Sequence, residues 1–156
     1  RDYARNTYSV EMSVQEAAEF RKKFFKSYSG FAKWYREIQN IQAQELRTLG
    51  GRRRIYNGYF APFPECLNTP IQGGAADISK LAFSQLPNAL RGEQAKVVGF
   101  IHDEFLIETP GENAETVLSI VVQTMEQAGR QYLTDVPVVA EAVIADSWAG
   151  EINPET

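Results

Sequence analysis

The sequence predicts an α+β fold in which a helical segment precedes an antiparallel sheet with helices on one face. Apolar residues recur at helical spacing from residue 14 to residue 41 and again from Ala114 to Tyr132. Between these stretches, two short β-rich runs at 95–101 and 105–109 are separated by three residues, which is typical of a hairpin. This order of elements favours an α+β architecture over an alternating one.

Two helices are expected in the first 50 residues. Ser13 and Glu16 have the spacing of a capping box, which predicts the start of the first helix. That helix should stop near Gly30, and the second should end at the glycine pair that begins with Gly50. Residues 51–68 are expected to be irregular because they contain turn residues and two prolines.

A third helix is predicted to begin just after Thr69. This residue is a good N-cap, and Pro70 suits the first helical position. Pro87 is expected to end the helix because proline lacks the backbone N–H that a helix interior needs. Residues 136–145 have the composition of a last strand, with Trp148 packed behind it.

Composition excludes several classes of protein. The chain has 156 residues, of which 44% are hydrophobic and 12% aromatic, so it is not a disordered segment. No apolar run approaches the roughly 20 residues that span a bilayer, and no membrane partner is expected. A single cysteine excludes an internal disulfide and favours a cytoplasmic location. Because the first residue is Arg rather than Met, we expect a fragment of a longer protein.

Charge is distributed unevenly along the chain. Residues 1–60 carry 12 Lys and Arg against 6 Asp and Glu, whereas residues 61–156 carry 4 against 14. A basic part followed by an acidic part suits a protein that holds phosphates with one region and cations with the other. Two oppositely charged, solvated surfaces would give the same pattern.

His102, Asp103 and Glu104 lie between the two apolar β-rich runs. Acidic residues at such a point are explained by turn formation, or by their use as oxygen ligands for a hard divalent cation such as Mg²⁺. Local sequence favours neither explanation. Phosphoryl transfer with two metal ions about 3.5–4 Å apart would require at least one further carboxylate from elsewhere.

Two other segments carry candidate binding residues. Arg52, Arg53 and Arg54 follow a glycine pair, so they could grip a phosphate backbone or form a solvated basic loop. Gly73 and Gly74 cost a helix about 1 kcal/mol each relative to alanine, a cost accepted where something approaches closely.

The polar residues around these glycines also have simpler explanations. Gln72 could serve only to cap the third helix, and Asn68 could form only a loop turn. Asp77 would be favoured near a helix N-terminus by the helix dipole alone.

Four motifs follow one another along the chain, and their order is more specific than any one of them. They are Gly-Arg-Arg-Arg at 51–54, Leu-Asn-Thr-Pro-Ile-Gln-Gly-x-Ala-Ala-Asp-Ile-x-Lys at 67–80, Ile-His-Asp-Glu at 101–104, and Val-Pro near a terminal Trp. This series resembles the C-terminal part of the family A DNA polymerases, the DNA polymerase I family, in the style of its phage and plasmid members. The resemblance runs from about Val10 to Gly150.

The resemblance implies a division of the chain and a chemistry. Residues 1–54 would form a helical fingers portion, and residues 55–156 a palm portion with the metal-binding hairpin. The activity would be template-directed nucleotidyl transfer by a DNA-directed DNA polymerase that uses two Mg²⁺ ions. The partners would be primer-template DNA, a dNTP and the missing N-terminal polymerase region, in a bacterial or phage-infected cell.

The resemblance also implies roles for single residues. Asp103 would bind Mg²⁺ directly, and Glu104 would support the catalytic metal site or lie beside it. His102 would contact the primer near its 3′ end. Gln72 and Asn68 would probe the minor groove, where all correct base pairs present similar acceptors. The glycines after Gln72 favour this probing role because they leave room for DNA.

Arg52 to Arg54 would touch the DNA backbone or pack beneath it. A second catalytic Asp and the dNTP-binding helix should lie upstream, so this chain alone is expected to be inactive. Two other functions stay open: a non-catalytic nucleic-acid-binding module with a palm-like fold, and an unrelated metal-dependent hydrolase. The single histidine excludes a His-rich catalytic metal site.

Overall fold

The structure is a computed structural model that describes residues 2–148 and Gly150. Its helices and two antiparallel hairpins confirm the α+β class. In chain order the elements are α1 (Asp2–Tyr8), α2 (Val14–Ser27), α3 (Ser29–Gln39), β1 (Glu45–Arg47), β2 (Arg53–Ile55), α4 (Phe63–Ala89), β3 (Lys96–Ile101), β4 (Glu104–Glu108) and α5 (Ala114–Arg130), with a short 3₁₀ helix (Gly111–Asn113) leading into α5.

The predicted start of the first long helix is confirmed. Ser13 Oγ accepts a hydrogen bond from the Glu16 N–H at 3.2 Å, and Glu16 Oε2 accepts one from the Ser13 N–H at 2.8 Å. These two bonds satisfy amides that have no partner within a helix, which is why α2 begins here. Phe25 of α2 packs on Tyr35 of α3, with ring centroids 5.2 Å apart, and Tyr35 packs in turn on Phe63 of α4.

The predicted extent of the second helix is wrong. α3 ends at Gln39, and the chain then forms the β1–β2 hairpin. The turn closes because the Gly51 N–H donates to the Thr48 carbonyl at 2.9 Å and Gly51 adopts a φ of 81°, which glycine accepts without strain. Half of the region 51–68 is therefore regular, since it contains β2 and the start of α4.

The third helix begins earlier than predicted. α4 starts at Phe63, so Thr69 is a buried interior residue rather than an N-cap, and Pro70 lies inside the helix. Pro64 is the proline near the helix start, where a missing N–H costs nothing. Pro87 does not end the helix, which continues to Ala89.

The main hydrophobic core joins the second half of α4 to α5 and the β3–β4 hairpin. Its buried residues are Leu86, Leu90, Val117 and Val121, and its partly buried members include Ala95, Val97, Phe105 and Ile107 of the hairpin region. Both helices thus cover one face of this small sheet. The predicted hairpin and the predicted α5 are confirmed.

The predicted last strand is wrong. Residues 136–145 form no ladder with any residue that the structure describes, since β3 and β4 pair only with each other. A strand exists only where a neighbouring backbone pairs with its N–H and C=O groups, and composition alone cannot supply that neighbour. Val138 packs against Gly129 of α5 instead. No helix in the described part of the chain is both long and apolar enough to cross a membrane.

Candidate active site

The turn between β3 and β4 consists of His102 and Asp103 alone. The ladder is paired up to Ile101 opposite Glu104, so the two turn residues are held at a fixed point of the hairpin. His102 has a φ of 56°, in the left-handed region that few non-glycine residues adopt and where His is enriched. His102, Asp103 and Glu104 are all exposed at this tip, which we call the acidic corner.

The carboxylate of Asp103 has no hydrogen-bond or ion-pair partner within the described part of the chain, as is also true of other exposed acids such as Glu108 and Glu112. Asp77, Glu45 and Glu65, in contrast, each pair with an arginine. The Asp103 carboxylate is therefore available to a cation or to water.

Glu104 has one partner, and the sequence did not predict it. Oε1 of Glu104 accepts a hydrogen bond from Nε1 of Trp148 at 3.2 Å. Trp148 is 66% exposed, so the prediction that it packs behind a strand is wrong. The contact leaves the second carboxylate oxygen of Glu104 free.

The acidic corner fits magnesium as part of a larger site. Mg²⁺ prefers oxygen ligands and usually takes one or two carboxylates together with waters and substrate phosphates. Asp103 and Glu104 supply such carboxylates. The described residues contain no group of three His, Cys, Asp or Glu side chains that could hold an ion without other ligands.

A second candidate region lies between the β1–β2 hairpin and α4. It is a cleft of about 350 Å³, which we call the arginine groove. Five of the predicted DNA-binding residues meet here, three from the hairpin and two from α4. The full lining is Thr48, Arg52, Arg53, Arg54, Asn68, Thr69, Gln72 and Gly73.

The three arginines are each paired with an acid. Arg52 pairs with the buried Asp77 and also donates to the Gly73 carbonyl at 3.1 Å. Arg53 pairs with Glu45; their hydrogen bond lowers the pKa of Glu45 and raises that of Arg53. The exposed Arg53–Glu45 pair contributes little to stability, so a phosphate could replace its carboxylate, whereas Asp77 is buried and holds Arg52.

Arg54 lies over an aromatic ring at the other side of the groove. It pairs with Glu65, and its guanidinium carbon is 5.3 Å from the centroid of the Tyr56 ring. The Tyr56 hydroxyl donates a hydrogen bond to Glu65 at 2.6 Å. Burial is the larger cause, and this hydrogen bond the second, that raises the pKa of Tyr56. All three arginine side chains are about half exposed, so contact with a phosphate backbone stays a prediction beside the alternative of a solvated basic segment.

Asn68 and Gln72 lie one helical turn apart on the same face of α4. Both side chains are exposed, and neither hydrogen-bonds to another described residue. A capping role for Gln72 is excluded because α4 begins nine residues before it, at Phe63. The amides can donate into the groove.

The space beside the glycine pair of α4 is occupied by the loop between β1 and β2. A Cβ atom added to Gly73 would overlap the Thr48 side chain, and one added to Gly74 would lie 3.2 Å from Leu49 Cβ. The expectation that these glycines leave room for DNA is therefore wrong in this structure. Gly73 and Gly74 are still explained by a close approach, but the approaching group is the loop between β1 and β2 and not DNA.

Asp77 is a residue whose role sequence reasoning missed. It lies 14 residues into α4, so the helix dipole does not explain it. Burial raises the pKa of Asp77, but hydrogen bonds from Thr48, Arg52 and the Gly50 N–H outweigh burial, and the pKa is lowered overall. The available signal was the two glycine pairs, one within this loop and one a helical turn before Asp77 on α4.

One helix links the two candidate regions. Gln72 lies in the arginine groove, and Phe83, eleven residues later on α4, stacks on Phe100 of β3 with centroids 5.3 Å apart. Eleven residues of helix rise roughly 16 Å. The groove and the hairpin that carries the acidic corner are therefore held on one rigid element.

Comparison with known proteins finds relatives that share one name, DNA polymerase I. The chain is 37% identical over 153 residues to DNA polymerase I of Aquifex aeolicus, covering 94% of this chain and 26% of that protein. It is 30% identical to the thermostable DNA polymerase I of Thermus thermophilus, covering 90% of this chain and 18% of that one. The chain thus spans about a quarter or less of the length of these relatives.

A solved structure gives the same result. The POL domain of Pol1 from M. smegmatis, in complex with DNA primer-template and dNTP, matches with a TM-score of 0.67 and 26% identity, over 75% of this chain and 23% of that one. The family model described as DNA polymerase family A matches residues 5–150. The motifs, the fold and these matches agree, and the chain belongs to DNA polymerase family A.

Proposed function

We propose that these residues form part of the polymerising site of a DNA-directed DNA polymerase. The observation that carries the proposal is the acidic corner: a free Asp103 carboxylate beside Glu104, at a tight turn, in a chain of this family. Residues 1–54 would belong to the fingers and residues 55–156 to the palm. The reaction is attack of the primer 3′-hydroxyl on the α-phosphorus of a dNTP, which releases pyrophosphate.

In this proposal Asp103 and Glu104 hold magnesium. Two bound Mg²⁺ ions would supply stabilisation of the charge that develops on the transferring phosphoryl group. His102, fixed by the hairpin turn, contacts the primer near its 3′ end and orients the terminal nucleotide.

The arginine groove would hold the DNA. Gln72 and Asn68 donate amide hydrogen bonds to minor-groove acceptors that all correct base pairs share, so they test pair geometry without selecting sequence. Arg52, Arg53 and Arg54 contact backbone phosphates or support those contacts from below. Because partly exposed acids already pair with Arg53 and Arg54, DNA binding would exchange these two carboxylate partners for phosphates, while the buried Asp77 keeps Arg52.

The proposed site requires protein from outside these 156 residues. Asp103 and Glu104 supply one side of a two-metal site, and the described residues offer no third ligand beside them. We infer that an N-terminal region, in the same chain or a separate subunit, provides the second catalytic Asp and the dNTP-binding helix. The present chain would then be inactive by itself. A cytoplasmic location stays a prediction.

The test is primer extension by the assembled polymerase. The chain, joined to or mixed with its N-terminal region, should incorporate dNTPs with Mg²⁺. Asp103→Asn should reduce incorporation roughly a thousandfold, since it removes a metal ligand that contributes several kcal/mol. Glu108→Gln is the matched control, because Glu108 lies at the other end of β4, roughly 13 Å from the corner.

Three outcomes would contradict parts of the proposal. Full activity of Asp103→Asn would exclude the metal assignment. Incorporation by the 156 residues alone would exclude the need for an upstream region. Tight binding of primer-template by the assembled protein without any incorporation would favour the non-catalytic binding module.

A further inference from the structure

Asp77 is the only buried charged residue in the part of the chain that the structure describes, with 7% of its surface exposed. Burying a carboxylate is costly unless it is paired and hydrogen-bonded. Its position on α4, one turn after Gly73 and Gly74, places it opposite the loop that joins β1 to β2.

All the partners of Asp77 come from that loop. Oδ2 accepts a hydrogen bond from the Gly50 N–H at 2.7 Å, and Oδ1 accepts one from Nε of Arg52. The Thr48 hydroxyl also hydrogen-bonds to this carboxylate. One side chain therefore holds both the backbone and the charged side chain of the loop.

The glycines on both sides make this approach possible. A Cβ atom on Gly50 would lie 2.8 Å from Cγ of Asp77, closer than real Cβ contacts allow. A Cβ atom on Gly73 would likewise overlap the Thr48 side chain, and one on Gly74 would make a tight contact of 3.2 Å with Leu49 Cβ. The loop can lie this close to α4 because three glycines have no side chain, and the Asp77 carboxylate then holds it there by hydrogen bonds.

The loop carries one wall of the arginine groove. Arg52 is the last residue of the loop and leads into β2, which carries Arg53 and Arg54, while the opposite wall is α4 with Asn68 and Gln72. The position of the loop on α4 therefore sets the distance between the arginines, which would hold phosphates, and the amides of Asn68 and Gln72, which would reach base edges.

We propose that Asp77 is a positioning residue for DNA binding, which docks the loop 48–52 on α4 and so fixes the width of the arginine groove. The proposal rests on the proposed function for its ligand, the primer-template duplex. Asp77 touches no DNA in it. Asp77 acts through Arg52 and through the placement of the neighbouring arginines relative to Gln72.

The first test measures the loop itself in the full polymerase. Asp77→Asn preserves side-chain volume and removes the charge, whereas Asp77→Ala removes every contact. Hydrogen exchange at the Gly50 amide should accelerate about tenfold in Asp77→Asn, since a hydrogen bond to a charged acceptor is lost or weakened. Glu45→Gln is the control: it removes the acid partner of Arg53 in the same hairpin without touching the loop's seat.

The second test separates positioning from stability. For Asp77→Asn, the Kd for primer-template should rise about tenfold and the preference for extending matched over mismatched primers should fall, while kcat at saturating DNA stays within about twofold. Unchanged far-UV circular dichroism would show that the variant is folded. A merely structural role would lower stability and leave Kd and mismatch preference unchanged.

Each result decides the proposal. Unchanged exchange at Gly50 in both Asp77 variants would overturn the docking role. Faster exchange with wild-type Kd and wild-type mismatch preference would overturn the positioning role. Absence of polymerase activity in the wild-type protein would contradict the proposed function instead, and duplex binding together with Gly50 exchange would still decide the role of Asp77.

Discussion

The indole of Trp148 donates a hydrogen bond to Glu104, 44 residues earlier in the chain. This contact ties the segment after α5, which forms no strand, to the acidic corner. It also orients one of the two carboxylates that we propose as metal ligands. The end of the described chain is thereby linked to the site, although it lies far from it in sequence.

Trp148→Phe should weaken the response of the polymerase to magnesium. Phenylalanine keeps an aromatic ring but has no N–H, so Glu104 loses its orienting donor. We expect the Mg²⁺ concentration for half-maximal primer extension to rise severalfold, with activity recovered at saturating Mg²⁺. With Trp34 and any tryptophan of the N-terminal region replaced by phenylalanine, emission from Trp148 should change on Mg²⁺ titration. An unchanged midpoint and an unresponsive emission would mean that the contact does not affect the metal.

The turn at His102 predicts unequal losses of stability for two substitutions. Glycine adopts a φ of 56° without strain, whereas a β-branched residue does not. His102→Val should therefore lower the free energy of unfolding by about 1–2 kcal/mol, and His102→Gly should lower it far less. Urea denaturation measures both. Equal destabilisation would show that the imidazole, rather than the backbone conformation, contributes the stability.

Alanine substitutions at glycines in two helices should change the stability of the protein in opposite directions. A methyl group at Gly73 would overlap Thr48, so Gly73→Ala should destabilise the protein by about 1–3 kcal/mol. Gly30 in α3 has nothing within 4 Å of an added Cβ, so Gly30→Ala should stabilise it by about 0.5–1 kcal/mol. Thermal unfolding of the two variants tests this. A stable Gly73→Ala protein would show that the loop can move off α4.

Acid should remove the stabilising effect of Asp77. Hydrogen bonds from Thr48, Arg52 and Gly50 outweigh burial and hold the pKa of Asp77 below its ordinary value of 3.8. A lowered folded-state pKa means that the stabilisation is present above the ordinary pKa and is lost as pH falls through the lowered one. The stability difference between wild type and Asp77→Asn should therefore shrink below about pH 4. Urea titrations at several pH values measure it, and a constant difference would contradict the pairing.

Local sequence predicted the elements whose causes are local. The capping box at Ser13 and Glu16 and the hairpin around His102 depend on residues within a few positions of each other. The position of His102 and Asp103 at the hairpin turn was predicted for the same reason, while their chemical roles stay predictions. The motif series then indicated the family, which the comparisons confirm.

Elements decided by distant contacts were not predicted. The β1–β2 hairpin is held by Asp77, 25 residues beyond Arg52, so a helical pattern through Ile41 was extended too far. Pro64 and Pro70 satisfied the same local rule for a helix start, and only the packing of the intervening turns on the rest of the fold decided between them. The role of Asp77 was missed because its partners all lie in another element.

The 27-residue helix α4 has a consequence for how this sequence can vary. It carries the arginine groove near its beginning and the hairpin contact at Phe83 near its end. Inserting or deleting one residue between these points would shift them by about 1.5 Å and rotate one relative to the other by about 100° around the helix axis. The stretch from Gln72 to Phe83 should therefore accept substitutions on its exposed side but no change in length.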